Sequence, residues 1–131
     1  MIYLSDVRDW LKTLISAKFY YIGKLDSKND ESIGVYQRKN PAPPVTAIGQ
    51  PSSYEIKPIS ILIHWNKNAN ETEKAAYELY EQLTAVFSLT LNNTHVQFIQ
   101  LLQSEPVDVG TDDSGVYERV IEFNLYYERK I

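Results

Sequence analysis

The sequence contains two histidines, His64 and His95, and either one could supply a metal ligand or a general base. Both lie in or beside segments with the pattern of β-strands, and no carboxylate stands at a ligand spacing from them. The chain has no Gly-x-Ser-x-Gly motif to mark a serine nucleophile, and it has no cysteines to form disulfides or thiolate metal sites. The sequence therefore favours structural roles for both histidines and predicts no catalytic, cofactor-binding or metal-binding residues.

An acidic run near the C-terminus is the other candidate for chemistry. Asp108, Asp112 and Asp113 could share a divalent cation, because hard ions bind several carboxylate oxygens. Their spacing departs from the EF-hand pattern, and Asp-Asp-Ser-Gly is a good turn sequence in which Gly115 can adopt a positive φ. We therefore interpret residues 108–115 as an exposed acidic loop that turns the chain and can contact a neighbouring subunit.

Residues 116–128 have the pattern of a long strand. Apolar and polar residues alternate along it, so that one face suits a hydrophobic core. The opposite face carries an acidic strip, Glu118, Glu122 and Glu128. This strip could line an opening or pair with basic residues of another subunit. It could equally be a solvated face whose charges discourage unwanted sheet extension.

Two further segments have the apolar spacing of amphipathic helices. Ser5 is the predicted N-cap of the first helix, and Asn70, with Glu73 three residues later, is the predicted N-cap of the second. The apolar positions that define their buried faces are Val7, Trp10, Leu11, Leu14 and Ile15 in the first, and Ala76, Leu79, Tyr80, Leu83, Val86 and Phe87 in the second. Both helices are expected to pack on a sheet.

The remaining strand signals lie at 19–25, 33–39, 55–65 and 95–103. The first two flank a polar turn and are interpreted as a hairpin. In the third, alternate isoleucines share one face while Leu62 interrupts the polar face, which indicates a central strand or a face hidden by another subunit. Together the patterns predict an α+β fold. It has a mostly antiparallel sheet of about five strands with two helices on one face, in the order α-β-β-β-α-β-β.

A proline-rich segment at 40–53 interrupts these elements. Its prolines have no backbone N–H to donate to a β-ladder, so the segment is interpreted as a long loop or arm. Loops of this length tend to be functional or flexible, and both a contact arm and a mobile linker stay open. The candidate contact residues in and beside it are Pro41, Pro43, Pro44, Ile48 and Tyr54.

Length and charge narrow the class of protein. A chain of 131 residues is expected to form one domain, residues 1–131. The net charge of -4 argues against sequence-specific binding to nucleic acid, which needs clustered Lys and Arg. No segment approaches the ~18 consecutive apolar residues of a membrane span, and no signal peptide is evident.

Five motifs are specific in combination, and the resemblance that they carry covers nearly the whole chain. They are 25–28 (Leu-Asp-Ser-Lys), 32–36 (Ser-Ile-Gly-Val-Tyr), 60–69 (Ser-Ile-Leu-Ile-His-Trp-Asn-Lys-Asn-Ala), 105–117 (Glu-Pro-Val-Asp-Val-Gly-Thr-Asp-Asp-Ser-Gly-Val-Tyr) and 121–128 (Ile-Glu-Phe-Asn-Leu-Tyr-Tyr-Glu). In this order they resemble a family of minor capsid proteins of tailed bacteriophages and prophages. In size and element order that family is similar to the tail-terminator proteins of long-tailed phages, which is an analogy of fold.

The resemblance implies a non-enzymatic structural protein of the virion, assembled in the bacterial cytoplasm and placed at the head-tail junction. The expected role is a tail terminator that forms a ring, expected to be hexameric, caps the tail tube and joins it to the head. The implied partners are copies of the chain itself, the tail-tube protein and the head-tail connector, with DNA passing through the ring. The candidate contacts outside the arm are Asp108, Asp112, Asp113, Glu118 and Glu122.

Three alternatives stay open. Within the same class, the chain could be a head-side connector or a minor capsid component. From a different class, it could be a small cytosolic metal-dependent enzyme that uses His64 or the aspartates. A third interpretation is a monomeric adaptor that presents the proline-rich segment as a ligand.

Overall fold

The computed structural model describes residues 1–39 and 54–128. The predicted contacts Pro41, Pro43, Pro44 and Ile48 therefore lie outside the described residues. The elements along the chain are α1 (Leu4–Leu11), β1 (Phe19–Ile22), β2 (Ser32–Gln37), β3 (Tyr54–His64), α2 (Ala69–Thr84), β4 (Leu89–Leu91), β5 (Thr94–Leu101), β6 (Val107–Thr111) and β7 (Tyr117–Glu128). The α+β class is confirmed, but the described residues form seven strands instead of the five predicted.

All of these strands belong to one sheet, in which β7 occupies the centre. The strand order is β1-β2-β3-β7-β5-β4, with β6 also beside β7. One edge of β7 pairs with β3 over its whole length. The other edge pairs with β5 along its C-terminal half and with β6 along its N-terminal half. The long alternating pattern of residues 116–128 is therefore the pattern of a strand with neighbours on both sides.

The first two strands do not form the predicted hairpin. β1 pairs with β2 in parallel, whereas every other described pairing is antiparallel, so the sheet is mixed. Residues 23–31 run back past the sheet and are held there by tertiary contacts. The Glu31 N–H donates to Trp65 O at 2.6 Å, and Ser27 O lies 3.1 Å from His64 Nε2. Local turn chemistry cannot indicate a connection that distant residues hold in place.

The inner face of the sheet carries the hydrophobic core. Val35, Ile61 and Ile121 lie opposite one another on β2, β3 and β7, and each is almost completely buried. Side chains of both helices join the same cluster. α1 contacts β1 and β2 at one end of the strand order and β4 at the other. The sheet therefore curls around α1, which differs from the expected arrangement of two helices on one sheet face.

Both predicted helix caps are wrong by two residues. α1 is capped at Tyr3, whose N–H donates to the Asp6 carboxylate at 2.8 Å, and Ser5 is already helical. α2 is capped by Asn68, whose side chain accepts from the Glu71 N–H at 3.1 Å. Asn68 and Glu71 have the same spacing as the predicted pair Asn70 and Glu73, so the local sequence does not distinguish them.

The end of α2 and two short strands also differ from the sequence prediction. Phe87 was assigned to the buried face of α2, but the helix ends at Thr84 and this side chain is 96% exposed. β4 has three residues, too few for a period to be visible. All five residues of β6 are exposed, so the strand lacks the alternation by which a half-buried strand is recognised.

Candidate assembly surfaces

A row of hydrogen-bonded polar side chains crosses the outer face of the sheet. The Arg38 Nη2 donates to Asn124 Oδ1 at 2.6 Å, and the Asn124 amide donates to Gln100 Oε1 at 3.1 Å. The Tyr126 hydroxyl donates to the same Gln100 oxygen at 3.0 Å. The row joins the end of β2 to β7 and β5.

A pocket of about 390 Å³ opens beside this polar row. Its lining residues are Tyr36, Gln37, Arg38, Lys39, Ser60 and Glu122. Arg38 Nε is buried there without a hydrogen-bond partner among the described residues. The Tyr36 ring packs over Gly34, where a Cβ atom would come within 2.7 Å of the ring. A pocket that combines guanidinium, ammonium and carboxylate groups suits a polar partner group.

His64 is the most enclosed ionisable side chain on this face. It is fully buried, with Nδ1 2.9 Å from Glu118 Oε2 and Nε2 3.1 Å from Ser27 O. Both ring nitrogens thus face oxygen atoms, of Glu118 on one side and of Ser27 on the other. The imidazole therefore connects β3, β7 and the segment before β2, which is a structural role.

Asp112 lies next to this cluster and organises the predicted turn. Its Oδ1 accepts from the N–H groups of Ser114 and Val116, each at 2.9 Å, and Gly115 has a φ of 84°. The turn interpretation is confirmed. The bond from Val116 holds the pKa of Asp112 below its usual range, helped by the bond from Ser114 and by the charge of His64, whose Nδ1 lies 3.8 Å away.

The rest of the acidic run is not a loop. Residues 107–111 form β6, and Asp108 accepts from the Gly110 N–H at 2.8 Å where the strand bulges. Asp108 also lies 3.9 Å from Arg119 on β7. Asp113 is exposed at the turn. Of the three aspartates, Asp113 therefore has the side chain most available to a partner.

The acidic strip of β7 is held by contacts within the chain. Glu118 pairs with His64, as described above, and Glu122 accepts from the Gln103 amide at 3.0 Å. Glu128 is exposed at the end of the strand. Glu118 therefore serves the fold, whereas Glu122 combines a role in the fold with a place in the pocket wall.

The described ranges, 1–39 and 54–128, contain no group of three or more His, Asp or Glu side chains arranged to hold a metal ion. His64 contacts Glu118 directly, at a distance that leaves no room for an ion between them. His95 is exposed on β5, which β7 separates from the β3 strand that carries His64.

An aromatic surface occupies the other end of the outer face. Phe98 is 53% exposed and stacks on Tyr126 with ring centroids 4.1 Å apart. The Tyr54 ring lies 5.7 Å from Tyr126. Phe87 and Phe98 also line a groove of about 220 Å³ between residues 86–89 and 96–99. Sequence reasoning singled out Tyr54 but missed Phe98, because an exposed aromatic residue in a strand has the same local pattern as a buried one.

Comparison with known proteins assigns the chain to a family. No helix within the described residues has the length and apolar character needed to cross a membrane. A search of curated proteins found no match. A family model described as "Bacteriophage tail terminator protein" matches residues 4–129. Tail terminators are structural proteins of the phage. The chain belongs to the bacteriophage tail terminator family.

Proposed function

We propose that this chain is a tail terminator that assembles with copies of itself into a ring, caps the finished tail tube and presents a surface for joining to the head. The observation that carries the proposal is the set of exposed aromatic side chains beside a complete core. Phe87 is 96% exposed, yet the inner face of the sheet is already filled by other residues. Phe87 and the exposed Phe98 line the same groove, and neighbouring exposed apolar side chains are typical of a surface that meets a partner.

The aromatic surface is the part best suited to a virion partner. Phe87, Phe98, Tyr126 and Tyr54 combine apolar rings with two hydroxyl groups, the composition that is enriched where proteins meet. The groove of about 220 Å³ beside Phe87 and Phe98 can receive a side chain from the tail-tube protein or the head-tail connector. We therefore assign this end of the outer face to contacts with other proteins of the virion.

The proposal also accounts for the charge of the chain. A net charge of -4 gives no general attraction to a phosphate backbone. DNA that passes through the ring is therefore not retained by it. Assembly takes place in the bacterial cytoplasm, and the finished ring stays in the virion at the head-tail junction.

The test is the absolute mass of the protein over a wide concentration range, alone and with the purified tail-tube protein. Light scattering gives the mass, and negative-stain imaging shows whether a ring sits on the tube end. A closed ring, expected to have six subunits, supports the proposal. A monomer that leaves the tube unchanged overturns it. Binding to the head-tail connector without binding to the tail tube supports the head-side alternative.

A further inference from the structure

Two strands of the sheet have a free edge. Within residues 1–39 and 54–128, β1 pairs only with β2, and β6 pairs only with β7. The third outer strand, β4, has only three residues. The turn and strand that follow it are held to the N-terminus, because the Met1 ammonium donates to Thr94 Oγ1 at 3.1 Å and the Asn92 side-chain amide donates to Met1 O at 2.9 Å. Among the described residues, β1 and β6 are thus two strands that offer unpaired backbone groups to another chain along their whole length.

The side chains of both free edges are incompletely buried. Phe19 of β1 is 41% exposed and stacks on Tyr21 with ring centroids 6.2 Å apart. Val109 of β6 is 49% exposed, and every other residue of β6 is exposed as well. β1 has four residues and β6 has five, so the lengths of the two edges match. Pairing them would bury apolar surface that the isolated chain leaves in water.

The charges around the two edges are opposite. Lys18 and Lys24 flank β1 and both are exposed, although Lys18 also pairs with Glu31 of its own chain at 2.9 Å. Asp108 lies within β6 and Asp113 follows it, both of them exposed. Pairing of β1 with β1 would place lysines near lysines, and pairing of β6 with β6 would place aspartates near aspartates. Charge therefore favours contact between unlike edges, which generates a ring or a filament instead of a two-fold dimer.

We propose that β1 of one subunit pairs with β6 of the next, so that the sheets of neighbouring subunits join edge to edge. The inference rests on the proposed ring, and it names the contact that builds it. Each contact is short, with only four or five residues on a side. Weak contacts of this kind close a ring most readily when another structure, here the tail-tube end, holds the subunits close together.

Charge reversal tests the pairing. The first variant carries Lys18→Glu and Lys24→Glu, the second carries Asp108→Lys and Asp113→Lys, and the third combines all four changes. In the presence of the tube, we expect the first two to lose ring formation by at least about tenfold and the combined variant to recover it. Glu78→Lys with Glu81→Lys is the matched control, because these exposed carboxylates lie on α2 and no described contact joins them to β1 or β6. Thermal unfolding checks that each variant is folded.

Cysteine cross-linking gives a second readout, since the natural chain has no cysteine. A variant with both Phe19→Cys and Val109→Cys, treated with a short bis-maleimide on the tube, should give a ladder of linked subunits. Each single substitution should give no ladder. Ladders from the double variant together with recovery in the combined charge variant support the inference. If the wild type forms rings and the charge variants assemble as well as the wild type, the edge pairing is wrong but the proposed function stands. Failure of the wild type to form any ring overturns the proposed function and the pairing with it.

Discussion

The two faces of the sheet differ in the interactions that stabilise their buried side chains. On the inner face, residues such as Ile61 and Phe123 are fully buried within the hydrophobic cluster. On the outer face, Asn124 and His64 are also buried, but each is satisfied by directed hydrogen bonds. The inner face therefore stabilises the fold through area removed from water, whereas the outer face holds specific geometry and keeps exposed groups for partners. Stability and assembly should consequently be separable by mutation.

The largest expected effect belongs to the inner face. Phe123→Ala removes a fully buried ring that packs edge-on against Trp10 at 6.4 Å between centroids. The expected loss of unfolding free energy is about 3–5 kcal/mol, because the substitution removes apolar contacts and leaves a cavity. Denaturant unfolding measures it, and Phe123→Leu is the milder comparison. A loss below about 1 kcal/mol would contradict a closed core at this position.

The next effect tests whether the outer face also supports the fold. His64→Ala leaves the Glu118 carboxylate and Ser27 O without their imidazole partner. We expect a loss of about 2–3 kcal/mol, because the substitution removes a fully buried side chain together with both of its hydrogen bonds. Denaturant unfolding at neutral pH gives the value. The exposed His95→Ala is the matched control, expected to change stability by less than about 0.5 kcal/mol.

A smaller effect separates hydrogen bonding from charge at the turn. Asp112→Ala removes the acceptor of two backbone N–H groups and should reduce stability by about 1 kcal/mol, whereas Asp112→Asn can still accept both. The pKa of Asp112 is lower in the folded state than its unfolded value of 3.8, so its ionised form stabilises the fold above that pH. This contribution is lost as the pH falls through the folded pKa. The wild type should therefore lose its advantage over Asp112→Asn in acid, as unfolding curves between neutral pH and about pH 2 would show. An advantage unchanged by acid would rule out the charge effect.

The smallest effect on stability is expected at the aromatic surface. Phe87→Ser changes a side chain that is 96% exposed, so unfolding free energy should shift by less than about 0.5 kcal/mol. Association with the tail tube should nevertheless fall by at least about tenfold, because exposed aromatic residues often dominate an interface. Tyr3→Ser, which removes an exposed aromatic side chain outside the groove, is the control. Equal tube binding by Phe87→Ser and the wild type would remove this residue from the proposed interface.

The sequence analysis succeeded where local patterns carry the structural signal. The alternating isoleucines of β3, including Ile61, and the alternation along β7 placed the inner face correctly. The Asp112–Gly115 turn was also recognised, because Asp side chains and glycine have specific backbone roles there. These features depend on residues only a few positions apart, so the local sequence is enough to predict them.

The predictions failed where the signal is not local. β6 has no buried side chain and is a strand only because β7 offers it a hydrogen-bonding edge. The parallel pairing of β1 and β2 depends on contacts from Ser27 and Glu31 to residues more than thirty positions away. Phe87 fits the helical period, but α2 ends before it. In each case a tertiary partner or an element boundary outweighed the local preference.

The sequence by itself determined the α+β class, the buried face of the central strands and the acidic turn, because periodicity and turn chemistry act over short distances. Only the tertiary structure decided the role of His64, because its ring contacts Glu118, which lies 54 positions further along the chain. It also decided which strands keep a free edge and which aromatic residues stay in water. These properties follow from the curl and the strand order of the sheet, and both arise from contacts between distant segments.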